Sequence, residues 1–147
     1  MLPESIELVI VTPERQLLRE AVAEVTLPGA GGCLGILPGH APLITELGIG
    51  ELSYRKKNAS EPAHMAIISG FAEVLGDRVT VLAETAERPE EIDVARAEEA
   101  KKRAEERLAS AASNPDVDWA RAAVGLQRSL IRIQVARKRH GAPVSSE

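Results

Sequence analysis

The sequence predicts an α+β chain in which an N-terminal β-sandwich is followed by a C-terminal antiparallel two-helix hairpin. Three observations carry that prediction. Up to about residue 86, short runs rich in Val, Ile and Leu are broken by Gly and Pro, the pattern of strands and turns. From Pro89 the composition turns to Ala, Glu, Arg and Lys, which favours helix on propensity alone. Ser113-Asn114-Pro115-Asp116 then interrupts the helical composition, because proline cannot continue a helix.

The best-defined strand runs are Ile6 to Val11, Val25 to Leu27, Glu51 to Tyr54, Met65 to Ile68, Phe71 to Leu75 and Val79 to Ala83, with shorter strands near Leu17 and Ile36. Gly76-Asp77 lies between two of these runs and signals a hairpin, since both residues tolerate tight-turn conformations. That turn places Phe71 and Val81 in paired strands. Six or more short strands predict a sandwich or flattened barrel, because a single sheet would leave one apolar face wet. The stretch from Leu27 to Leu43 carries glycines at 29, 31, 32, 35 and 39 and prolines at 28, 38 and 42. Glycine permits positive φ and proline fixes φ, so this is a stiffened turn system. It reads either as a tight connection between sheets or as a rigid contact surface at one end of the sandwich.

The first helix is expected from about Glu90 to Ala112. Ala97, Ala100, Ala104, Leu108 and Ala111 form one narrow stripe of small residues, which lets another helix approach closely. The second is expected from about Val117 to Arg139, with Asp116 or Asp118 capping its free amides. A short turn between them makes the pair antiparallel. Along the second helix Ala120, Val124, Ile131 and Val135 flank one edge and Ala123, Leu126, Leu130 and Ile133 the other. That surface is too broad for an alanine stripe to cover, so a second apolar partner is implied. The domains predicted are residues 1–87, residues 88–141 and a loose tail, 142–147.

Charge divides between the two parts. Residues 1–87 carry six Lys or Arg against twelve Asp or Glu, a balance of −6, and residues 88–147 carry twelve against ten, a balance of +2. No acid occurs between Asp118 and Glu147, where Arg121, Arg128, Arg132, Arg137, Lys138 and Arg139 all fall. At about 100° per residue, Arg121, Arg128, Arg132 and Arg139 lie within roughly 20° of one line, a basic ridge. The net charge of −4 speaks against a general nucleic-acid binder, which needs a basic excess to neutralise phosphates.

No apolar run approaches the roughly 20 residues that span a bilayer, and no basic segment leads into a hydrophobic stretch at the N-terminus. The reading is a soluble chain without a signal peptide. Cys33 is the one cysteine, so an internal disulfide is excluded, and the thiol reads as a small buried or interfacial hydrophobe. His40, His64 and His140 lack metal-ligand spacing and read as surface or loop residues. There is no nucleophile elbow, P-loop or dinucleotide fingerprint, which counts against an enzyme. The glutamates of the first helix read as a solvated face with pairs such as Glu98 with Lys102 and Glu99 with Arg103.

Four motifs occur in order: Gly35-Ile36-Leu37-Pro38-Gly39-His40-Ala41-Pro42-Leu43, Ile68-Ser69-Gly70-Phe71-Ala72-Glu73-Val74, Val79-Thr80-Val81-Leu82-Ala83-Glu84 and Ile92-Asp93-Val94-Ala95-Arg96-Ala97. Together, from about Ile6 to Arg139, they resemble the epsilon-subunit family of bacterial and plastid F-type ATP synthases, the counterpart of the mitochondrial delta subunit. The resemblance implies a non-catalytic subunit of a proton-translocating rotary complex. Its sandwich, ten-stranded in that family, binds the foot of the gamma shaft and rests on the ring of c subunits. A loop at Gly31, Gly32, Cys33 and His40 meets the ring. Many relatives carry glutamate where Cys33 stands, so backbone or apolar contact replaces a charged one here.

The resemblance further implies a hairpin that switches between a folded form and an extended form reaching the alpha and beta subunits, where it inhibits ATP hydrolysis. The ridge of Arg121, Arg128, Arg132 and Arg139 would supply the grip. No cofactor or metal is required. Some members bind ATP in the folded form, and the matching residues are Ile92, Asp93, Arg96 and Arg132, with Glu87 beside them; Asp93 reads equally as a helix cap with Arg96 its local partner. The implied location is the cytoplasmic face of a bacterial cell membrane or the stromal face of a thylakoid, peripheral and held through the complex. Two other readings stay open, a free-standing nucleotide-sensing module and an independent enzyme.

Overall fold

Residues 2–139 are described in the computed structural model; His140 and the expected loose tail at 142–147 lie outside the described residues. The chain divides into two compact units, Met1–Glu87 and Arg88–Glu147.

The first unit is built from six strands: β1 (Ile6–Val11), β2 (Gln16–Gly29), β3 (Gly32–Ile36), β4 (Leu43–Lys56), β5 (Ala63–Leu75) and β6 (Arg78–Glu87). Their order is β1-β6-β5-β4-β2-β3, and a further pairing of β1 with β2 closes the sheet on itself. Only β1 with β6 is parallel. Closure leaves few open edges and lets one core be enclosed from both sides. That core holds Leu8, Ile10, Leu27, Ile36, Leu47, Leu52, Met65, Ile67, Val79 and Val81, all essentially inaccessible to water. Across the closing strand, Glu7 Oε1 lies 3.0 Å from Arg19 on β2 and 2.9 Å from Arg78 on β6, so one carboxylate ties β1 to both neighbours.

Six long strands replace the ten short ones that the resemblance implied, because several strands bend and continue. Met65 to Ile68 and Phe71 to Leu75 are both parts of the 13-residue β5. Met65 and Ile67 face the core before the bend and Ala72 and Val74 after it, so the inward set changes from odd to even positions. On β4 it changes between Leu47 and Leu52, and on β6 between Ala83 and Ala86. These changes flank residues paired across the three strands, Leu47 with Gly70 and Gly70 with Ala83. Ser69 at φ 58° and Gly70 at φ 138° break the pleat there. A Cβ on Gly70 would sit 2.1 Å from the Leu82 carbonyl oxygen, so only glycine fits.

Gly76-Asp77 forms the expected two-residue turn, joining Leu75 to its partner Arg78, with Gly76 at φ 60°. The glycine-rich stretch after Leu27 is a hairpin more than a loop. Gly29 pairs with Gly32 across Ala30-Gly31, β3 runs back along β2, and a turn closed by His40 N donating to Leu37 O leads into β4.

The second unit begins with a 3₁₀ turn (Pro89–Glu91), followed by α1 (Val94–Ser110) and α2 (Trp119–Ala136). Both helices are shorter than expected. α1 starts where the Asp93 carboxylate accepts from Arg96 N at 3.1 Å, and α2 where Asp118 accepts from Arg121 N at 3.1 Å, each supplying an acceptor that the first turn lacks. The two helices pack on each other, and the 3₁₀ turn packs on α2. Ala97 and Ala104 are the buried residues of α1, as the alanine stripe predicts. On α2 Ala122, Ser129, Ile133 and Ala136 are buried at spacings of seven, four and three, which puts them on one face, and Val135 is buried off that face. Ser129 is 1% exposed, and its hydroxyl donates to Leu126 O at 2.8 Å, which satisfies the one polar side chain buried in the helix.

Candidate functional site

Three surfaces emerge from these two units. On the outer face of the first unit, Phe71 stands directly opposite Leu82 on β6 and Glu46 on β4, while Ile44 stands opposite Glu73 two residues further along β5. Cross-strand neighbours share a face, so these side chains form one patch. Phe71 and Leu82 are each 56% exposed and Ile44 is 74% exposed. An apolar patch edged by carboxylates marks a contact surface for a partner that is apolar and basic. Sequence reading missed it, because Phe71 and Leu82 look like core residues until the bend at Gly70 turns them outward.

The second surface is the β2–β3 hairpin and the turn after it. Gly31, Gly32 and Cys33 are exposed, Leu37 is exposed beside them in sequence, and His40 is half-buried with Nδ1 2.6 Å from the Ala41 carbonyl oxygen. Cys33 sits on β3 opposite Pro28. Its exposure removes the buried alternative read from the sequence and leaves the interfacial one. His64 also departs from the sequence reading. It is a strand residue on β5, and its Nδ1 pairs with the Glu51 carboxylate on β4. Among the described residues no group of three or more His, Cys, Asp or Glu is placed to hold a metal ion.

The third surface is the helical unit. Arg121 and Arg128 are exposed on α2 and Arg132 is half-buried there. The expected alignment of Arg139 with them does not hold in this structure, because α2 ends at Ala136. Arg137 N donates to Ile133 O and Lys138 N to Val135 O, and the chain then turns back. Arg139 Nε donates to Pro89 O at 2.9 Å, and Arg139 Nη2 donates to Ile92 O. Trp119, Val124 and Leu130 remain exposed on α2 although the helix already packs on α1. Where the helices join, a shallow cavity of about 350 Å³ is lined by Arg107, Asp116, Val117, Asp118, Arg121 and Ala122.

The residues read as a nucleotide site are placed as follows. Ile92 is buried, Asp93 and Arg96 are exposed at the start of α1, and Arg132 lies on α2. Asp93 is a helix cap, the second of its two readings, with one carboxylate oxygen engaged by Arg96 N. Glu87 is the last residue of β6 and belongs to the first unit. Lys101 and Glu105, four residues apart on α1, pair at 3.8 Å on the solvated face.

Similarity to known proteins extends over both units. Residues 5–89 match the family model described as the beta-sandwich domain of the ATP synthase delta/epsilon chain, and residues 90–137 match its long alpha-helix domain. The ATP synthase epsilon chain of Koribacter versatilis (strain Ellin345) is 59% identical over 105 residues, 71% of this chain and 72% of that one. The epsilon chain of Solibacter usitatus (strain Ellin6076) is 47% identical over 140 residues, 94% of this chain and 100% of that one. Among solved structures, a chain of the Euglena gracilis mitochondrial ATP synthase, in a structure of OSCP, F1 and c-ring, superposes with a TM-score of 0.76 at 25% identity, covering 92% of this chain and 83% of that one. A chain of the Tetrahymena thermophila mitochondrial ATP synthase central stalk and c-ring shares the fold at a TM-score of 0.50 and 17% identity, covering 62% and 72%.

Proposed function

Because this chain belongs to the ATP synthase delta/epsilon chain family, as an epsilon chain, we propose that its β unit couples the gamma shaft to the c ring and its helical hairpin restrains ATP hydrolysis. An epsilon chain is a non-catalytic stalk subunit of ATP synthase, a membrane-bound complex. Among the described residues no helix is long and apolar enough to cross a membrane, and in this reading the chain is attached through the other subunits. In this reading the complex translocates protons, and the subunit is peripheral on the cytoplasmic face of a bacterial membrane.

The observation that carries the reading is the surface α2 keeps after the hairpin has closed. Trp119 and Leu130 stay exposed on one side of the helix, and Val124 stays exposed on the side where Arg121 and Arg128 stand. With Val124 beside a row of cations and Trp119 and Leu130 on the opposite side, the helix keeps surface for a second partner that is apolar and acidic, and two partners of similar worth make the hairpin bistable. The extended hairpin reaches the alpha and beta subunits, with Arg121, Arg128 and Arg132 as its main grip. The β unit meets gamma through Ile44, Phe71 and Leu82, and its hairpin loop at Gly31, Gly32, Cys33 and His40 meets the ring. The folded hairpin also binds ATP weakly through Asp93, Arg96 and Arg132 beside Ile92, arginines holding phosphate.

The test is hydrolysis by the reconstituted complex. Replacing Arg121, Arg128 and Arg132 together by Ala raises latent ATPase activity toward that of a complex whose epsilon chain stops before residue 88. Unchanged latent activity in the triple variant, with normal incorporation of the chain, sinks the inhibitory half of the reading.

A further inference from the structure

Arg139 is separated from Pro89 and Ile92 by 50 and 47 residues, yet its guanidinium bonds to both of their carbonyls. It therefore joins the last described residue of the second unit to the first turn of the same unit, and both helices lie between the joined points. The two carbonyls are ones that the secondary structure leaves poorly used. The first intrahelical acceptor of α1 is Asp93 O, which takes Ala97 N at 3.0 Å, so Ile92 O lies just outside the helix ladder. Pro89 O otherwise takes only a long bond of 3.4 Å from Ile92 N. A planar guanidinium can reach two such oxygens at once, which a lysine ammonium on its single axis does less well.

We propose that Arg139 is a latch that holds the hairpin closed, and that its release is a step in hairpin opening; the proposal rests on the reading above that the hairpin opens at all. The acceptors are neutral carbonyls and not carboxylates, so the latch is charge-assisted yet releasable. Its release also has a consequence for the ridge. Were α2 to continue three residues further, Arg139 would fall in line with Arg121, Arg128 and Arg132 at about 100° per residue. The guanidinium cannot hold Pro89 and Ile92 and join that line at once. One residue thus ties the closed form, and loss of that tie has the opposite sign to loss of the other three.

Hydrogen exchange on the full chain reads this directly, with Arg139→Ala and Arg139→Lys. The Ala variant is expected to exchange the α2 amides from Ala122 to Ala136 on the order of tenfold faster, the Lys variant less, and the β strands at the parent rate. Faster exchange confined to residues 89–93 and 137–139 makes Arg139 a local cap and overturns the latch, as does no change anywhere. In the reconstituted complex Arg139→Ala is expected to deepen inhibition. Faster α2 exchange with unaltered hydrolysis keeps the latch and sinks the inhibitory reading, whereas relieved hydrolysis with unaltered exchange makes Arg139 a grip residue and discards the latch.

Discussion

In the β unit the enclosed side chains are large: Leu8, Ile10, Leu27, Leu52, Met65 and Ile67 among others, inside a sheet closed by the pairing of β1 with β2. In the two helices the buried side chains are fewer and mostly small: Ala97 and Ala104 on α1, and Ala122, Ser129 and Ala136 together with Ile133 and Val135 on α2. Burying a Leu or Ile contributes about 1.5 to 3 kcal/mol, and an alanine methyl well under half of that. Helices of 17 and 18 residues draw most of their stability in a protein from the packing of one face, not from propensity. The difference separates two jobs: the closed sheet keeps one shape whatever touches it, and the hairpin can exchange one partner for another at small cost.

The largest effect is expected where one added atom damages the sheet. Gly70→Ala is expected to cost about 3 kcal/mol or more, because the new methyl meets the Leu82 carbonyl oxygen at 2.1 Å and the backbone is held at φ 138°. Urea unfolding of the β strands, followed by circular dichroism, reads the loss; a variant within 0.5 kcal/mol of the parent, on the order of ordinary surface changes, would mean the bend is not fixed as described. A smaller effect is expected on the outside of the same sheet. Phe71→Ser leaves the unfolding midpoint where it was, since the ring is exposed, and weakens binding to the gamma shaft by about 30-fold, or roughly 2 kcal/mol. Titration calorimetry with purified gamma measures it, and equal affinities would remove the patch from the interface.

Much of both units can be read from the sequence, and the parts that cannot share a cause. β1 runs from Ile6 to Val11 as its apolar residues suggest, and Asp118 caps α2, because these depend on neighbours in the chain. The continuity of β5 through Ser69 and Gly70 does not show locally, since a positive-φ pair reads as a break between strands and only pairing with β4 and β6 carries the strand across. The outward turn of Phe71 and Leu82 follows from the same bend and was hidden with it. On α2 the apolar residues counted from the sequence lie to one side of the buried row, and Ala122, Ser129 and Ala136 fall between that apolar surface and the arginine ridge. Arg139 shows the limit most plainly. Helical periodicity places it on the ridge, and two backbone carbonyls some fifty residues away draw it off.

The smallest effect is expected in the helical unit. Ala104 is buried in the middle of α1, which packs on α2. Ala104→Leu adds three carbons that cannot be accommodated without moving the helices apart, at about 1.5 kcal/mol. Leucine is close to alanine in helix propensity, so α1 itself survives and the loss falls on its packing against α2. Hydrogen exchange should therefore quicken along α2 while amides of β5 and β6 keep their protection, because the sheet has its own enclosed core. Equal loosening of both units would mean that they unfold as one cooperative body. The small-residue packing would then not be what lets the hairpin move alone.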